Sequence, residues 1–325
     1  MNPVAAAIRG AARITAFCHQ NPDADTVGAA IAIRLVAERL RIPAEVVCAD
    51  PMPRYLGFLP GVHLVRTRPA LAADVAVILD AGDLTRIGDA AGEGGQWLEQ
   101  ATVVNIDHHI SNPGFGTVQL VDPTAASTCE LVAELLPELG VALDPELATA
   151  LLAGIVNDTH TFSHPNATAR TLRVAAALVE AGALLADIHR AIYADKPFAT
   201  LAVWGRMLAG VAQEVGGRIV HAALTQEMLQ AAGAELSDTE GFVDLLGITR
   251  DADVVLLFKE VDSAETRVSI RTSARADAVA IAAPFGGGGH PRAAGCTLQA
   301  SLAQARIEVL AEGGRELARA DARRH

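Results

Sequence analysis

Four short apolar runs, at residues 13–18, 44–48, 75–79 and 102–106, alternate with stretches whose apolar residues recur at helical spacing. Strand, helix and strand in succession leave few options: the strands run parallel, because each return path is a crossover helix. Residues 26–40 read as the first such helix, with Asp25 placed to cap it. A second helix spans 127–139, and a third, opened by Asp144-Pro145, spans 146–155. No Gly-x-Gly-x-x-Gly follows the first strand and no Walker lysine motif occurs, so neither dinucleotide binding nor P-loop chemistry is supported. The expected class is α/β, with a parallel sheet carrying helices on both faces.

At 325 residues the chain is long enough for about two domains. Helical periodicity continues over 168–192, breaks at Asp195-Lys196-Pro197 and resumes over 201–212. The boundary is expected between 195 and 205, giving domains 1–195 and 205–325. Beyond it, 218–224, 254–260 and 266–271 read as strands, and 278–283 as a short helix running into Phe285-Gly286-Gly287-Gly288-Gly289-His290. The second domain is therefore a smaller mixed α/β unit. A closing arginine-rich tail, Arg319, Arg323 and Arg324, is expected to be solvated.

Charge narrows the partners. Twenty-six Lys+Arg against 38 Asp+Glu give a net charge of -12, which disfavours non-specific binding to duplex nucleic acid or to an anionic membrane. The four cysteines (Cys18, Cys48, Cys129, Cys296) are scattered without a C-x-x-C pair, as expected of reduced thiols in a cytoplasmic protein. Arg9 and Arg13 interrupt the alanine-rich start, so a signal peptide is not expected.

Chemistry concentrates where the expected strands end. His19, Asp23 and Asp25 fall within one Pro-containing loop, Asp80 follows the third run with Asp83 and Arg86 behind it, and Asp107-His108-His109 follows the fourth. Asp158, in Asn157-Asp158-Thr159-His160, ends the apolar run 147–156. A single carboxylate after a strand is ordinarily a cap or turn residue, and a single histidine is ordinarily structural. Four such clusters at one sheet edge would bury several negative charges together, at a prohibitive cost unless cations neutralise them. Carboxylate and imidazole ligands without cysteine suit Mn²⁺, Mg²⁺ or Fe²⁺, and so large a ligand set suggests two ions.

Together, His19-x-x-x-Asp23-x-Asp25, Asp80, Asp107-His108-His109 and Asp158 resemble the DHH phosphoesterases. The segment Gly286-Gly287-Gly288-Gly289-His290-Pro291-Arg292-Ala293-Ala294-Gly295 looks like the signature of their DHH-associated second domain. The likeness covers nearly the whole chain and is nearest to NrnA-type oligoribonucleases, which also act as 3'-phosphoadenosine 5'-phosphate phosphatases. It implies one divalent ion on His19, Asp23 and Asp80, and a second on Asp25, Asp80, His108 and Asp158, with Mn²⁺ expected and Mg²⁺ or another divalent ion as alternatives. It further implies that His109 faces the scissile phosphate and that Asp107 orients the histidines from behind.

The second domain, by the same resemblance, holds the substrate's nucleotide and terminal phosphate through Arg271, Ser273, Gly288, Gly289, His290 and Arg292, with the active site in the cleft between the domains. A grip on one end favours short oligonucleotides and mononucleotides. The expected activity is hydrolysis of short oligoribonucleotides together with dephosphorylation of 3'-phosphoadenosine 5'-phosphate. Cleavage of a cyclic dinucleotide (c-di-AMP) or its linear product pApA, and pyrophosphate or polyphosphate hydrolysis, stay open as alternatives, as does a homodimer. One departure stands out: where the family often has glycine, this chain has His160, expected to be a wall shaping substrate choice rather than a ligand of a third metal.

Overall fold

A computed structural model describes residues 2–91 and 95–323. The chain divides into two compact units, Met1–Asp195 and Lys196–His325. In the first, α1 (Pro3–Gly10) precedes β1 (Ile14–Phe17), α2 (Ala24–Arg39), β2 (Ala44–Val47), β3 (Val75–Leu79), β4 (Thr102–Asp107) and β5 (Val118–Val121). Helices α3 (Thr128–Leu139), α4 (Pro145–Asp158), α5 (Ala169–Glu180) and α6 (Leu185–His189) follow. Strands pair throughout in parallel, in the order β2-β1-β3-β4-β5. The strand order reverses between β1 and β3, which creates the crevice where open α/β sheets bind ligands.

Sequence explains the packing of this unit. More than half of the residues of α2 and of α4 are Ala, Val, Leu or Ile, and both helices bury most of their residues in the large core on one sheet face. The other face has a smaller core of Phe17, Val47, Ala76 and Ile78, closed by two 3₁₀ segments, Leu84–Ile87 and Gly95–Glu99. Trp97 lies over Phe17 there, with ring centroids 6.1 Å apart. The cap of α2 is Asp23, whose side chain accepts from the N–H groups of Asp25 and Thr26, rather than Asp25 as its position suggested. Asp25 is needed elsewhere.

The second unit contains α7 (Phe198–Ala209), β6 (Ala212–Glu214), β7 (Ile219–Leu224), α8 (Gln226–Ala232), α9 (Phe242–Leu246), β8 (Val254–Glu260) and β9 (Thr266–Thr272). Helix α10 (Ala278–Ala282), β10 (Gly288–His290), β11 (Ala293–Leu298) and α11 (Leu302–Ala322) complete it. The sheet order is β10-β11-β9-β8-β7-β6, antiparallel except for the β7–β8 pair. The glycine run is thus an edge strand and not a linker. The tail is no free appendage either: Arg319 pairs with buried Glu312, and Arg323 with buried Glu316, both on α11; Arg324 lies outside the described residues.

His221 on β7 is 1% exposed, and neither ring nitrogen has a hydrogen-bond partner. Its ring meets Phe258 edge-on at 6.2 Å. Burial, aided by the charge of Arg306 and opposed by Glu214, lowers its pKa below the usual 6.5. The unfolded chain therefore takes up the proton more readily, so stability is complete above pH ~6.5 and falls as the pH drops below it. Urea midpoints at pH 7.5 and 5.5 should differ more for the wild type than for His221→Leu. Equal differences would remove His221 as a source of acid sensitivity.

Candidate active site

Strand order decides which side chains meet. Because β3 lies between β1 and β4, the residue after β3 stands between those that follow its neighbours. Asp80 is that residue, with His19 on one side and His108 on the other. Its Oδ2 lies 3.3 Å from His19 Nε2, and its Oδ1 lies 3.4 Å from His108 Nε2. Asp80 has a left-handed backbone (φ 58°), unusual for a residue other than glycine, and its N–H donates to the Ile106 carbonyl (3.0 Å). Strain of this kind persists where surrounding contacts enforce it.

Thr26 ties the two strand ends together. Its hydroxyl donates to the Leu79 carbonyl (3.0 Å) and accepts from the His19 N–H (3.1 Å). His19 Nδ1 donates to the Gln20 carbonyl (2.8 Å), which leaves Nε2 as the nitrogen facing Asp23 and Asp80. A metal-binding imidazole is usually fixed in this way, by a bond through its other nitrogen.

Asp25 is fully buried, and the start of α3 holds it: Thr128 N–H donates to Oδ2 (2.7 Å) and Cys129 N–H to Oδ1 (2.9 Å). A helix N-terminus offers unpaired N–H groups and a positive dipole end, both of which suit a carboxylate. Gly154 on α4 makes room, since any Cβ there would collide with Asp25 Oδ1 and Cys129 Sγ. Asp158, at the end of α4, brings Oδ2 to 3.1 Å from His108 Nε2.

Behind these groups, Asp107 is buried and accepts from His109 Nδ1 (2.6 Å) and Asn112 Nδ2 (2.6 Å). Asn112 also donates to the Ala81 carbonyl and accepts from Asn105 Nδ2, so one side chain links the ends of β3 and β4.

The electrostatics express crowding. Burial, reinforced by Asp80 and Asp158 and opposed by His19, pushes Asp23 up to about 6. Burial and the charges of Asp158 and Asp80 push Asp25 well above the carboxylate range, although the α3 N–H groups favour its ionised form. Burial also resists charge on Asp80, but hydrogen bonds from His108 and His19 outweigh it and hold that carboxyl well below the usual range. For His19, burial is overcome by Asp80 and Asp23, and the pKa rises to about 9; Asp158 and Asp80 raise His108 in the same way. Against burial, Asp107 and His109 stabilise each other's charge.

Three donor sets result, each with atoms within 4.8 Å of one another: His19, Asp23 and Asp80; Asp25, His108 and Asp158; and Asp80, His108 and His109. Oxygen and nitrogen donors, an excess of carboxylates, and carboxyls pushed upward for want of positive charge all fit divalent cations. His160 belongs to none of these sets.

In the second unit, Gly288, Gly289 and His290 line β10 and pair with Gly295, Ala294 and Ala293 of β11; Ala293 in turn faces Arg271 of β9. A Cβ at Gly289 (φ 142°) would strike the Ala293 carbonyl, so the close pairing needs glycine. Arg271 Nε donates to Asp244 (2.8 Å), and Arg292 is exposed. Ser273 points elsewhere, its hydroxyl donating to Asp253 (2.8 Å) within an ion-pair group with Arg218. Sequence reading missed Thr26, Asn112, the Thr128 and Cys129 N–H groups, and Gly154. Asn112 lies three positions after His109, and Ser127 opens the helix expected over 127–139, but nothing in the order of residues aims that helix start at Asp25.

Residues 13–155 match the DHH family N-terminal domain, and residues 216–313 match the DHHA1 domain. A Thermus thermophilus protein named bifunctional oligoribonuclease and PAP phosphatase NrnA is 37% identical, the alignment spanning 93% of this chain and 89% of that protein. The chain belongs to the DHH family. A Bacillus subtilis protein of the same name is 24% identical over 86% of this chain and 87% of its own length. The crystal structure of an exopolyphosphatase-related protein from Bacteroides fragilis superposes with a TM-score of 0.85 at 22% identity, covering 96% of this chain and 93% of that one, and shares the fold. DHH phosphoesterases are hydrolases that depend on divalent metal. The DHH match includes every residue of the three donor sets except Asp158, just beyond its end, and the DHHA1 match includes the glycine run.

Cation binding should show in stability as well as in turnover. Mn²⁺ at about a hundred times its dissociation constant should stabilise the protein by about 2.7 kcal/mol, read as a higher melting temperature. Asp80→Asn should abolish the increase; an undiminished rise would place the ion elsewhere. Gly154→Ala, which crowds Asp25, should weaken the Mn²⁺-dependent increase by a larger fraction than it lowers the metal-free melting temperature. The opposite ranking would make Gly154 a packing residue alone.

Proposed function

We propose that this DHH phosphoesterase hydrolyses short oligoribonucleotides to mononucleotides and removes the 3'-phosphate of 3'-phosphoadenosine 5'-phosphate, the two activities in the name of its Thermus relative. The observation that carries the reading is the position of Asp80, shared between donor sets and within 3.6 Å of His109 Nδ1. His19, Asp23 and Asp80 would hold one ion, and Asp25, Asp80, His108 and Asp158 the other. When bound, such a pair, of which Mn²⁺ best suits the donors, activates water for in-line displacement and neutralises charge on phosphate oxygens.

The chain's own groups do the rest. Asp107 fixes Nδ1 of His109 as a donor and stabilises the imidazolium, which assigns Nε2 to a phosphate oxygen or to the departing group. Asn112 keeps Asp107 from turning. His290, Arg292 and the β10 backbone supply a phosphate grip in the second unit; Arg271 joins it by sharing its guanidinium with Asp244. Ser273 is committed to Asp253 and contributes to that grip through the fold alone. Few cationic groups and a net charge of -12 favour substrates with few phosphates.

With Mn²⁺, a diadenylate, a five-mer and 3'-phosphoadenosine 5'-phosphate should all be turned over faster than pyrophosphate, and Asp80→Ala should cost at least ~10³-fold in rate. Preference for pyrophosphate would refute the reading. His290→Ala should raise KM for the diadenylate while sparing a small chromogenic phosphodiester; equal losses would make the glycine-rich edge purely structural.

A further inference from the structure

Aromatic residues make up only 4% of this chain, with two tyrosines in all. Even so, four rings form a continuous ladder beside Asp158. His189 and Tyr193 have centroids 5.4 Å apart, Tyr193 and His160 are 4.5 Å apart, and His160 and His164 are 5.3 Å apart with only 14° between their planes. The backbone is bent to build it. His160, Thr161 and Phe162 have φ of 46°, 54° and 64°, three successive left-handed residues without a glycine. Such strain persists where contacts enforce it. Tyr193 Oη donates to the Val156 and Asn157 carbonyls, Thr161 Oγ1 bonds His189 Nδ1 (2.8 Å), and Asn166 Nδ2 donates to the Asp158 carbonyl (3.2 Å).

His160 is flanked by Tyr193 and His164 and is half-buried; His164 ends the ladder and is exposed. His164 Nδ1 lies 3.4 Å from the Asp158 carbonyl, which keeps the outer ring next to the residue proposed to hold an ion. The near-parallel His160–His164 pair, backed by Tyr193 tilted at 56°, presents one exposed ring face beside Asp158, which is suited to the base attached to a scissile phosphate, and base stacking tolerates any base because each has a π-face.

We propose that His164, backed by His160 and Tyr193, is the stacking platform for the nucleobase next to the scissile phosphate. This rests on the phosphoesterase reading above and adds to it the means by which a nucleotide is distinguished from a bare phosphoester. The wall expected of His160 is then one rung in, and the face that meets substrate belongs to His164.

The test compares the Mn²⁺-loaded wild type, His164→Ala and His164→Phe on a 5'-phosphorylated diadenylate and on the same compound with one base replaced by an abasic sugar. For the diadenylate, His164→Ala should raise KM at least about fivefold with kcat within about twofold, and His164→Phe should restore it. The abasic compound should be affected by less than about twofold. An unchanged KM, equal losses on both compounds, or loss of bound metal in His164→Ala would overturn the platform. Should the wild type cleave neither compound, the phosphoesterase reading itself fails. Calorimetric binding of AMP and ribose 5-phosphate then decides the platform: an AMP preference that His164→Ala removes supports it, and equal binding overturns it.

Discussion

Everything at the crevice depends on mutual repulsion among closely spaced carboxylates. Asp25 and Asp80 are buried and Asp23 and Asp158 half-buried beside them, and no lysine or arginine forms an ion pair with any of the four among the described residues. Without ions the two imidazoles carry the compensation, which is why His19 and His108 hold protons so firmly while Asp23 and Asp25 resist losing theirs. Much of the first unit is arranged to keep these groups together at that cost.

The arrangement relies on short covalent reach and fixed dipoles. Asp80 and His19 sit one or two residues past strands locked in register, so their main chains cannot drift apart without breaking the sheet. Asp25 comes from a helix packed tightly on α4, where Gly154 leaves it room, and the N–H groups at the start of α3 point at it. Preorganisation of this kind moves the cost of collecting the charges into folding, so that a bound phosphate meets a site already formed.

The second unit solves a different problem. Its glycines bring two backbone strands closer than side chains permit, at the sheet edge that carries His290. Arginines elsewhere in the unit serve as struts, holding buried Glu312, Glu316 and Asp253.

The sequence by itself determined the parallel α/β character of the first unit, the residue types of the site and the position of His19, Asp80 and Asp107-His108-His109 at strand ends, because alternating apolar runs and polar strand ends are local properties. It put Asp25 at the head of α2, two positions too late: the structure gives the cap to Asp23, one of whose oxygens accepts the N–H groups of Asp25 and Thr26. Only the tertiary structure decided that Asp80 stands between its partners, for that follows from β3 lying between β1 and β4 and not from order along the chain. The same is true of Asp25 and the α3 N-terminus, about a hundred positions away, of Ser273 turning to Asp253, and of the His189-to-His164 ladder. Such pairings depend on how helices and strands pack, and packing is settled by the sum of many long-range contacts that no single stretch of sequence contains.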